Sequence, residues 1–141
     1  MKTCALFLAA AGLLAAAGCT HVSLDLAPEG DPHRVLIGTV ETTNPVPLPA
    51  DAVVLVRVVD PSRTDLPPQV LGDQEIHSPG ATPVPFRIEY QAEDALLRRG
   101  LNLEARISYA GKVRYFNVNQ VAVTLRNASD PHQVMVNPAE P

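Results

Sequence analysis

The segment Ala52-Val-Val-Leu-Val-Arg-Val-Val-Asp60 is the most apolar stretch of the chain after its amino-terminal leader, and it decides the fold class. Five valines and one leucine in nine residues are typical of a β-strand, because β-branched side chains pack well on a pleated surface. A run so apolar predicts a central strand that is buried on both faces for part of its length.

Shorter segments with alternating apolar and polar residues lie on both sides of this strand and predict further strands. These segments are Arg34–Thr42, Gln69–His77, Val84–Tyr90, Leu101–Tyr109, Lys112–Val118, Val121–Leu125 and Gln133–Val136. Pro85 lacks an N–H group, which predicts either an edge position for its strand or a solvent-facing position for this residue. Only Glu93–Arg99, with acidic residues first and Gly100 after it, predicts a helical turn.

Together these segments predict an all-β fold, an antiparallel β-sandwich of about seven or eight strands with one short helical turn. A small closed barrel is the alternative. The chain has 141 residues, with 14 prolines and 8 glycines, which argues against a helical bundle. Its net charge of −4 argues against a nucleic-acid partner, which requires clustered Lys and Arg.

Residues 1–18 are predicted to form a lipoprotein signal peptide. One lysine is followed by an uncharged run too short to cross a bilayer, which is typical of a secretory signal. The run ends in Ala16-Ala17-Gly18-Cys19, which resembles the bacterial lipobox. We therefore expect cleavage between Gly18 and Cys19, and acylation of Cys19. Thr20 in the following position favours sorting to the outer membrane, facing the periplasm. An ordinary secretory signal that leaves Cys19 as a free thiol is the alternative.

Residues 19–33 form the predicted lipidated tether, and residues 34–137 form the predicted sandwich domain. The segment Thr20–Pro32 is polar and could extend about 40 Å at 3.3 Å per residue. Val22, Leu24 and Leu26 alternate, so part of this segment could instead add a strand.

The mature chain carries no recognisable catalytic or metal-binding motif. Its four histidines lie outside any zinc-ligand spacing, and its serines lie outside any nucleophile motif. Asp31-Pro32-His33 and Asp130-Pro131-His132 repeat one tripeptide, which we interpret as two turns that lead into strands rather than as a paired Asp/His site. We therefore predict no catalytic residue, no metal, no cofactor and no enzymatic activity.

Strand patterns and proline turns occur in a characteristic order from Val35 to Val123. The main ones are Val35-Leu-Ile-Gly-Thr-Val40, Leu48-Pro-Ala-Asp-Ala-Val-Val-Leu-Val-Arg-Val-Val-Asp60 and Pro83-Val-Pro-Phe86. This order resembles the YbaY/YscW-type lipoprotein family. The resemblance implies a β-sandwich lipoprotein of the Gram-negative envelope. One branch of the family acts as pilotins, which are lipoprotein chaperones that help a type III secretion secretin reach and assemble in the outer membrane.

The resemblance predicts a membrane-anchored binding or assembly module with a secretin-like protein partner in the envelope. We expect the partner to bind by strand addition or in a groove, at Val84–Tyr90 or at Gln69–His77. Two alternatives are a structural envelope lipoprotein without a specific client, and an enzyme with an unrecognised site.

Overall fold

The structure is a computed structural model that describes residues 30–140. The described chain forms nine strands in two sheets and one short helix, which confirms the predicted all-β class. The elements are β1 (His33–Glu41), β2 (Val53–Asp60), β3 (Gln69–His77), β4 (Val84–Gln91), α1 (Asp94–Arg99), β5 (Leu101–Tyr109), β6 (Lys112–Phe116), β7 (Val121–Val123), β8 (His132–Met135) and β9 (Asn137–Pro138).

The smaller sheet has the strand order β4-β1-β8, and the larger has the order β3-β2-β5-β6-β9, with β7 also paired to β5. As predicted, β2 is central in its sheet, and its last residues, Val58, Val59 and Asp60, are buried in succession. Neighbouring strands are antiparallel, except that β8 runs parallel to β1. This parallel pair was not predicted, because a strand pattern does not reveal strand direction.

The hydrophobic core fills the space between the two sheets. In β4, alternate residues are buried and exposed along the whole strand, so one face packs on the core. The largest fully buried side chains come from β1, β4, α1 and β5, and include Leu36, Ile88, Leu97, Leu103 and Ile107. Each such side chain contributes about 1.5–3 kcal/mol through burial.

The edges of the two sheets meet where β3 lies beside β4. The backbone N–H of Arg87 donates to Gln74 Oε1 at 2.7 Å, so a side chain takes the place of a neighbouring strand. Gly72 allows this approach, because a Cβ at its position would lie 2.7 Å from the Glu89 carbonyl oxygen. The predicted edge position of Val84–Tyr90 is confirmed, since β4 ends the smaller sheet.

The carboxy-terminal segment joins the two sheets on the opposite side. Strand β8 pairs with β1 in the smaller sheet, and β9 pairs with β6 in the larger one. Between them, the Val136 N–H donates to the Glu41 carbonyl oxygen at 2.8 Å. Strand β9 therefore lies at the carboxy-terminal limit of the predicted sandwich domain, and extends one residue beyond it to Pro138.

Several boundaries differ from the predicted ones. The predicted strand Val121–Leu125 ends at Val123, and Leu125 lies beyond the strand and is 39% exposed. The reason is local, because Asn127 Oδ1 accepts the Thr124 N–H at 2.7 Å and turns the chain. The predicted strand Lys112–Val118 ends at Phe116. Helix α1 lies within the predicted segment and is followed by Gly100.

Candidate functional site: a cleft on the outer face of the larger sheet

A cleft of about 280 Å³ opens on the face of the larger sheet that points away from the core. Strands β2 and β5 form its floor, and the loop between β6 and β7 forms its wall. It is lined by Leu55, Arg57, Asn102, Glu104, Ala105, Arg106, Phe116, Asn117, Val118, Asn119 and Gln120. A cleft of this size could hold a few apolar side chains of a bound segment.

The wall exists because β5 pairs with two different strands along its length. Its carboxy-terminal half pairs with β6, and its amino-terminal half pairs with β7. The loop that connects β6 to β7 cannot remain in the sheet, and it rises above the sheet surface. The Val121 N–H donates to Asn102 Oδ1 at 3.0 Å and ties the end of this loop to β5.

Asn117 holds the start of the loop with its side-chain amide. Its Oδ1 accepts the Ala105 N–H at 2.8 Å, and its Nδ2 donates to the carbonyl oxygens of Leu103 and Asn119 at 3.0 Å each. The Asn117 N–H also donates to the Ala105 carbonyl oxygen at 3.1 Å. One residue therefore satisfies β5 backbone groups that lie between its two partner strands, and fixes the wall of the cleft.

The floor of the cleft carries an ion pair between neighbouring strands. Arg57 Nη2 lies 2.6 Å from Glu104 Oε2, and both side chains are about one-third exposed. A pair this accessible contributes less than about 1 kcal/mol to stability. The ion pair occupies the Arg57 guanidinium. Arg106, which also lines the cleft, has no carboxylate oxygen of the described residues within 4.0 Å.

Exposed apolar side chains surround the opening. Phe116 is 42% exposed and Val118 is 67% exposed. Phe116 is paired in register with Arg106, so an aromatic ring and a guanidinium share one rim of the cleft. On the side of the cleft away from β6, strand β3 places Asp73 opposite Arg57 and Glu75 opposite Leu55. The site can therefore bind a segment with apolar anchors and charges of both signs.

The two predicted client surfaces, Val84–Tyr90 and Gln69–His77, lie against each other. Pro85 has no N–H to donate, and the outward N–H of Arg87 is already bound by Gln74. The edge of β4 is therefore covered, and a strand could not be added there without displacing β3. This disfavours our expectation of strand addition. The cleft was missed because its parts are distant in sequence and carry no motif.

The three histidines within residues 30–140 are not brought together. His33 is exposed at the start of β1, 3.8 Å from Glu89, and His77 lies 3.5 Å from Glu75. His132 is buried at the start of β8, and neither ring nitrogen has a hydrogen-bond partner. As interpreted, both Asp-Pro-His tripeptides lead into strands. No cluster suited to a metal ion occurs among residues 30–140.

The sites predicted near the amino terminus lie outside the described residues. These are the signal peptide, the Gly18–Cys19 cleavage site, the lipidation site at Cys19, the sorting residue Thr20 and the tether up to Glu29. No helix within residues 30–140 is long and apolar enough to span a bilayer.

The sandwich and its chain order can be compared with known proteins. A family model described as "Type III secretion system lipoprotein chaperone (YscW)" matches residues 31–136. The chain belongs to the YscW family. The family match covers strands β1 to β8 in full and leaves out only β9 among the described strands. It confirms the resemblance that the strand order predicted. The family is one of chaperones rather than of enzymes.

A solved pilotin shares the YscW-family fold of this chain. It is described as an alternative pilotin from the type II secretion system of Vibrio cholerae, and the TM-score is 0.65. Sequence identity is 23%, over 77% of this chain and 99% of that one, so the likeness concerns the fold. A search of curated proteins finds no match.

Proposed function

We propose that this chain is an outer-membrane lipoprotein that binds a secretin-like subunit in the envelope and assists its assembly. In this proposal Cys19 carries the acyl chains, Gly18 precedes the cleavage site, and Thr20 directs the protein to the outer membrane facing the periplasm. The YscW family name, a lipoprotein chaperone, and the pilotin-like fold support this role. A client and an anchor are the two parts that experiments must test.

The observation that carries the client proposal is the cleft beside Phe116 and Val118. Apolar side chains grouped around a formed cavity are a common feature of binding sites. Apolar and aromatic anchors that fill such a cavity supply most of the affinity of a typical interface. We therefore place the client segment in the cleft, with Arg106 and Asp73 at its charged rims.

The client proposal is tested by secretin assembly in cells that lack the natural gene. The wild-type chain should restore detergent-resistant secretin multimers in the outer membrane. The variant Phe116→Asp/Val118→Asp should not restore them, because two charges would replace the apolar rim. Val35→Asp/Ile37→Asp is the matched control, since these side chains are 36% and 44% exposed but lie on the outer face of the smaller sheet.

The outcomes separate the proposal from its alternative. If the cleft variant folds and still supports multimers as well as the wild type does, the cleft is not the client site. If deletion of the gene leaves secretin multimers unchanged, the alternative of a structural envelope lipoprotein without a client is favoured.

The anchor proposal is tested by changing Cys19 to serine. We expect the mature wild-type protein to fractionate with the outer membrane, and the Cys19→Ser variant to be released into the periplasm. Mass spectrometry of the wild-type amino-terminal peptide should show an acylated cysteine as its first residue. An unmodified thiol at Cys19 would contradict the proposed anchor.

A further inference from the structure

A second crevice, of about 350 Å³, lies between helix α1 and the turn from β7 to β8. It is lined by Leu97, Arg98, Thr124, Leu125 and Arg126, and we call it the α1 crevice. The Leu125 N–H donates to the Leu97 carbonyl oxygen at 3.3 Å, which holds the turn against the helix. Leu125 is nevertheless 39% exposed, so the crevice presents an apolar side chain that no described residue covers fully.

The described chain begins beside the same helix. At Gly30, a Cβ would lie 3.5 Å from Oδ1 of Asp94, the first residue of α1. The other Asp94 oxygen, Oδ2, lies 4.0 Å from Nη2 of Arg98, which lines the α1 crevice. The Ala92 N–H donates to the Pro32 carbonyl oxygen at 2.9 Å and fixes the path of the chain here. Helix α1 is only about 9 Å long at 1.5 Å per residue, so the chain before Gly30 starts close to the crevice.

The sequence before Gly30 carries apolar residues at the spacing that a shallow apolar crevice can receive. Residues 20–29 precede the described part of the chain. Val22, Leu24 and Leu26 alternate with polar residues, so an extended chain places them on one face. Leu26 precedes Gly30 by four residues and Leu24 by six, which span about 13 Å and about 20 Å when extended. Both leucines can therefore reach the α1 crevice.

Charge agrees with this occupant only at short range. The lining of the α1 crevice contains Arg98 and Arg126 and no carboxylate, whereas residues 20–29 carry two acidic residues and no Lys or Arg. Glu93 and Asp130 are exposed beside the helix and in the turn, which weakens the attraction. Ion pairs between exposed side chains contribute little, so the leucines rather than the charges favour docking.

We propose that residues 22–26 dock on the domain as an extended strap, with Leu24 and Leu26 in the α1 crevice. The number of residues before Gly30 and the place where the described chain begins support this occupant. A segment attached four residues away is present at a high effective concentration, so it fills an apolar crevice in preference to a partner in solution. The alternation of Val22, Leu24 and Leu26 thereby acquires a surface to pack on.

Docking would shorten the reach of the proposed anchor. From Cys19 to Gly30 the extended chain spans about 36 Å, but from Cys19 to a docked Leu24 it spans about 17 Å. The strap would hold the α1 side of the domain near the bilayer, and its release would roughly double the reach. This consequence rests on the proposed function, since it needs acyl chains at Cys19, whereas the docking itself does not.

The test is disulfide trapping in the chain of residues 19–141 with Cys19→Ser, in which no natural cysteine remains. The test pair is Asp25→Cys/Arg126→Cys, which joins the strap to the α1 crevice and leaves both leucines in place. The control pair is Asp25→Cys/Arg63→Cys. Arg63 is exposed like Arg126 and, like Arg99 in α1, lies near the Asp60 carboxylate, but it does not line the crevice.

We expect the test pair to form its intramolecular disulfide roughly tenfold faster than the control pair, because burial of even one leucine favours the docked state by about that factor. Adding Leu24→Ser/Leu26→Ser should slow the test pair to the rate of the control pair. Adding Leu66→Ser instead should leave the rate unchanged, since Leu66 is a 48% exposed leucine outside the crevice. Thermal unfolding of each variant checks that the fold is retained.

Three results would overturn the proposal. These are equal trapping rates for the two pairs, a test-pair rate that Leu24→Ser/Leu26→Ser does not change, and covalent dimers in place of the intramolecular disulfide. The last result would assign the crevice to the strap of a second copy. Because the assay uses neither an acyl chain nor a client, its result does not depend on whether Cys19 is acylated or the cleft binds a secretin. Failure here and failure of the proposed function are therefore distinguishable.

Discussion

Replacing Asn117 with alanine should destabilise the domain and loosen the wall of the cleft. The variant loses three side-chain hydrogen bonds, of which the two to Ala105 and Leu103 are partly buried. Each partly buried bond contributes about 1 kcal/mol, and its loss leaves a β5 backbone group without a partner. We therefore expect a decrease of about 2 kcal/mol in the free energy of unfolding.

Urea unfolding measures the loss of stability, and amide hydrogen exchange locates it. In the wild type the Ala105 N–H is bound by Asn117 Oδ1, so it should exchange slowly, and it should exchange faster in the variant. Asn119→Ala is the control, because among the described residues the Asn119 side chain makes no hydrogen bond and only its carbonyl oxygen accepts one. It should change stability by less than about 0.5 kcal/mol.

The reasoning fails if Asn117→Ala unfolds at the same urea concentration as the wild type, or if the Ala105 amide keeps its exchange rate. In cells, the Asn117→Ala variant should reduce secretin multimers, because the wall of the proposed client cleft is no longer held in place. Equal losses of urea stability in Asn117→Ala and Asn119→Ala would show that the loop matters for a reason other than the Asn117 hydrogen bonds.

Three further predictions concern the stability of the domain. Gly38→Ala should lower the midpoint of thermal unfolding by about 10 °C, because the added Cβ would lie 2.1 Å from the His132 carbonyl oxygen and 2.6 Å from the Phe86 ring. Gly30→Ala is the control, since its added Cβ would meet only ordinary contacts and should leave the midpoint nearly unchanged. Tyr90→Phe should leave the urea stability unchanged or raise it, since the buried Tyr90 hydroxyl has no hydrogen-bond partner. Burial raises the pKa of Tyr90, so the wild type should lose the stability contributed by this group as the pH rises above about 10, and the variant should not show that loss. The Ser62 N–H, with Arg99 and Arg63 nearby, lowers the pKa of Asp60, so the Asp60 carboxylate should stabilise the domain above about pH 4 and lose this contribution at lower pH. Unfolding measured across acid pH should show this loss in the wild type and not in Asp60→Asn, and an unchanged acid profile in that variant would contradict the prediction.

The alternation of residues was sufficient to identify strands and their exposed faces. Pro85 predicted an edge strand or a solvent-facing position within Val84–Tyr90, and β4 is an edge strand. The short helix also followed from local signals, the acidic residues before it and Gly100 after it. These features were predictable because they depend on the chemistry of neighbouring residues.

The cleft was not predictable in this way. Asn117 lies in a segment whose pattern continues a strand to Val118, yet β6 ends at Phe116 and the chain leaves the sheet. This departure is explained by the pairing of β5 with both β6 and β7, which a local pattern does not contain. The covering of β4 by β3 likewise depends on Gly72 and Gln74, residues that only the folded chain brings to that edge.

The sequence by itself determined that this chain is built of strands, which residues in them face inward, and which family it belongs to. The tertiary structure alone decided that β8 runs parallel to β1, that the two sheets meet at both sides, and that a walled cleft opens above Arg57 and Glu104. The physical reason is that inward-facing apolar residues are interchangeable between strands. The choice of partner and register is made by close contacts between residues far apart in the chain, such as Gly38 with Phe86 and Asn117 with Ala105.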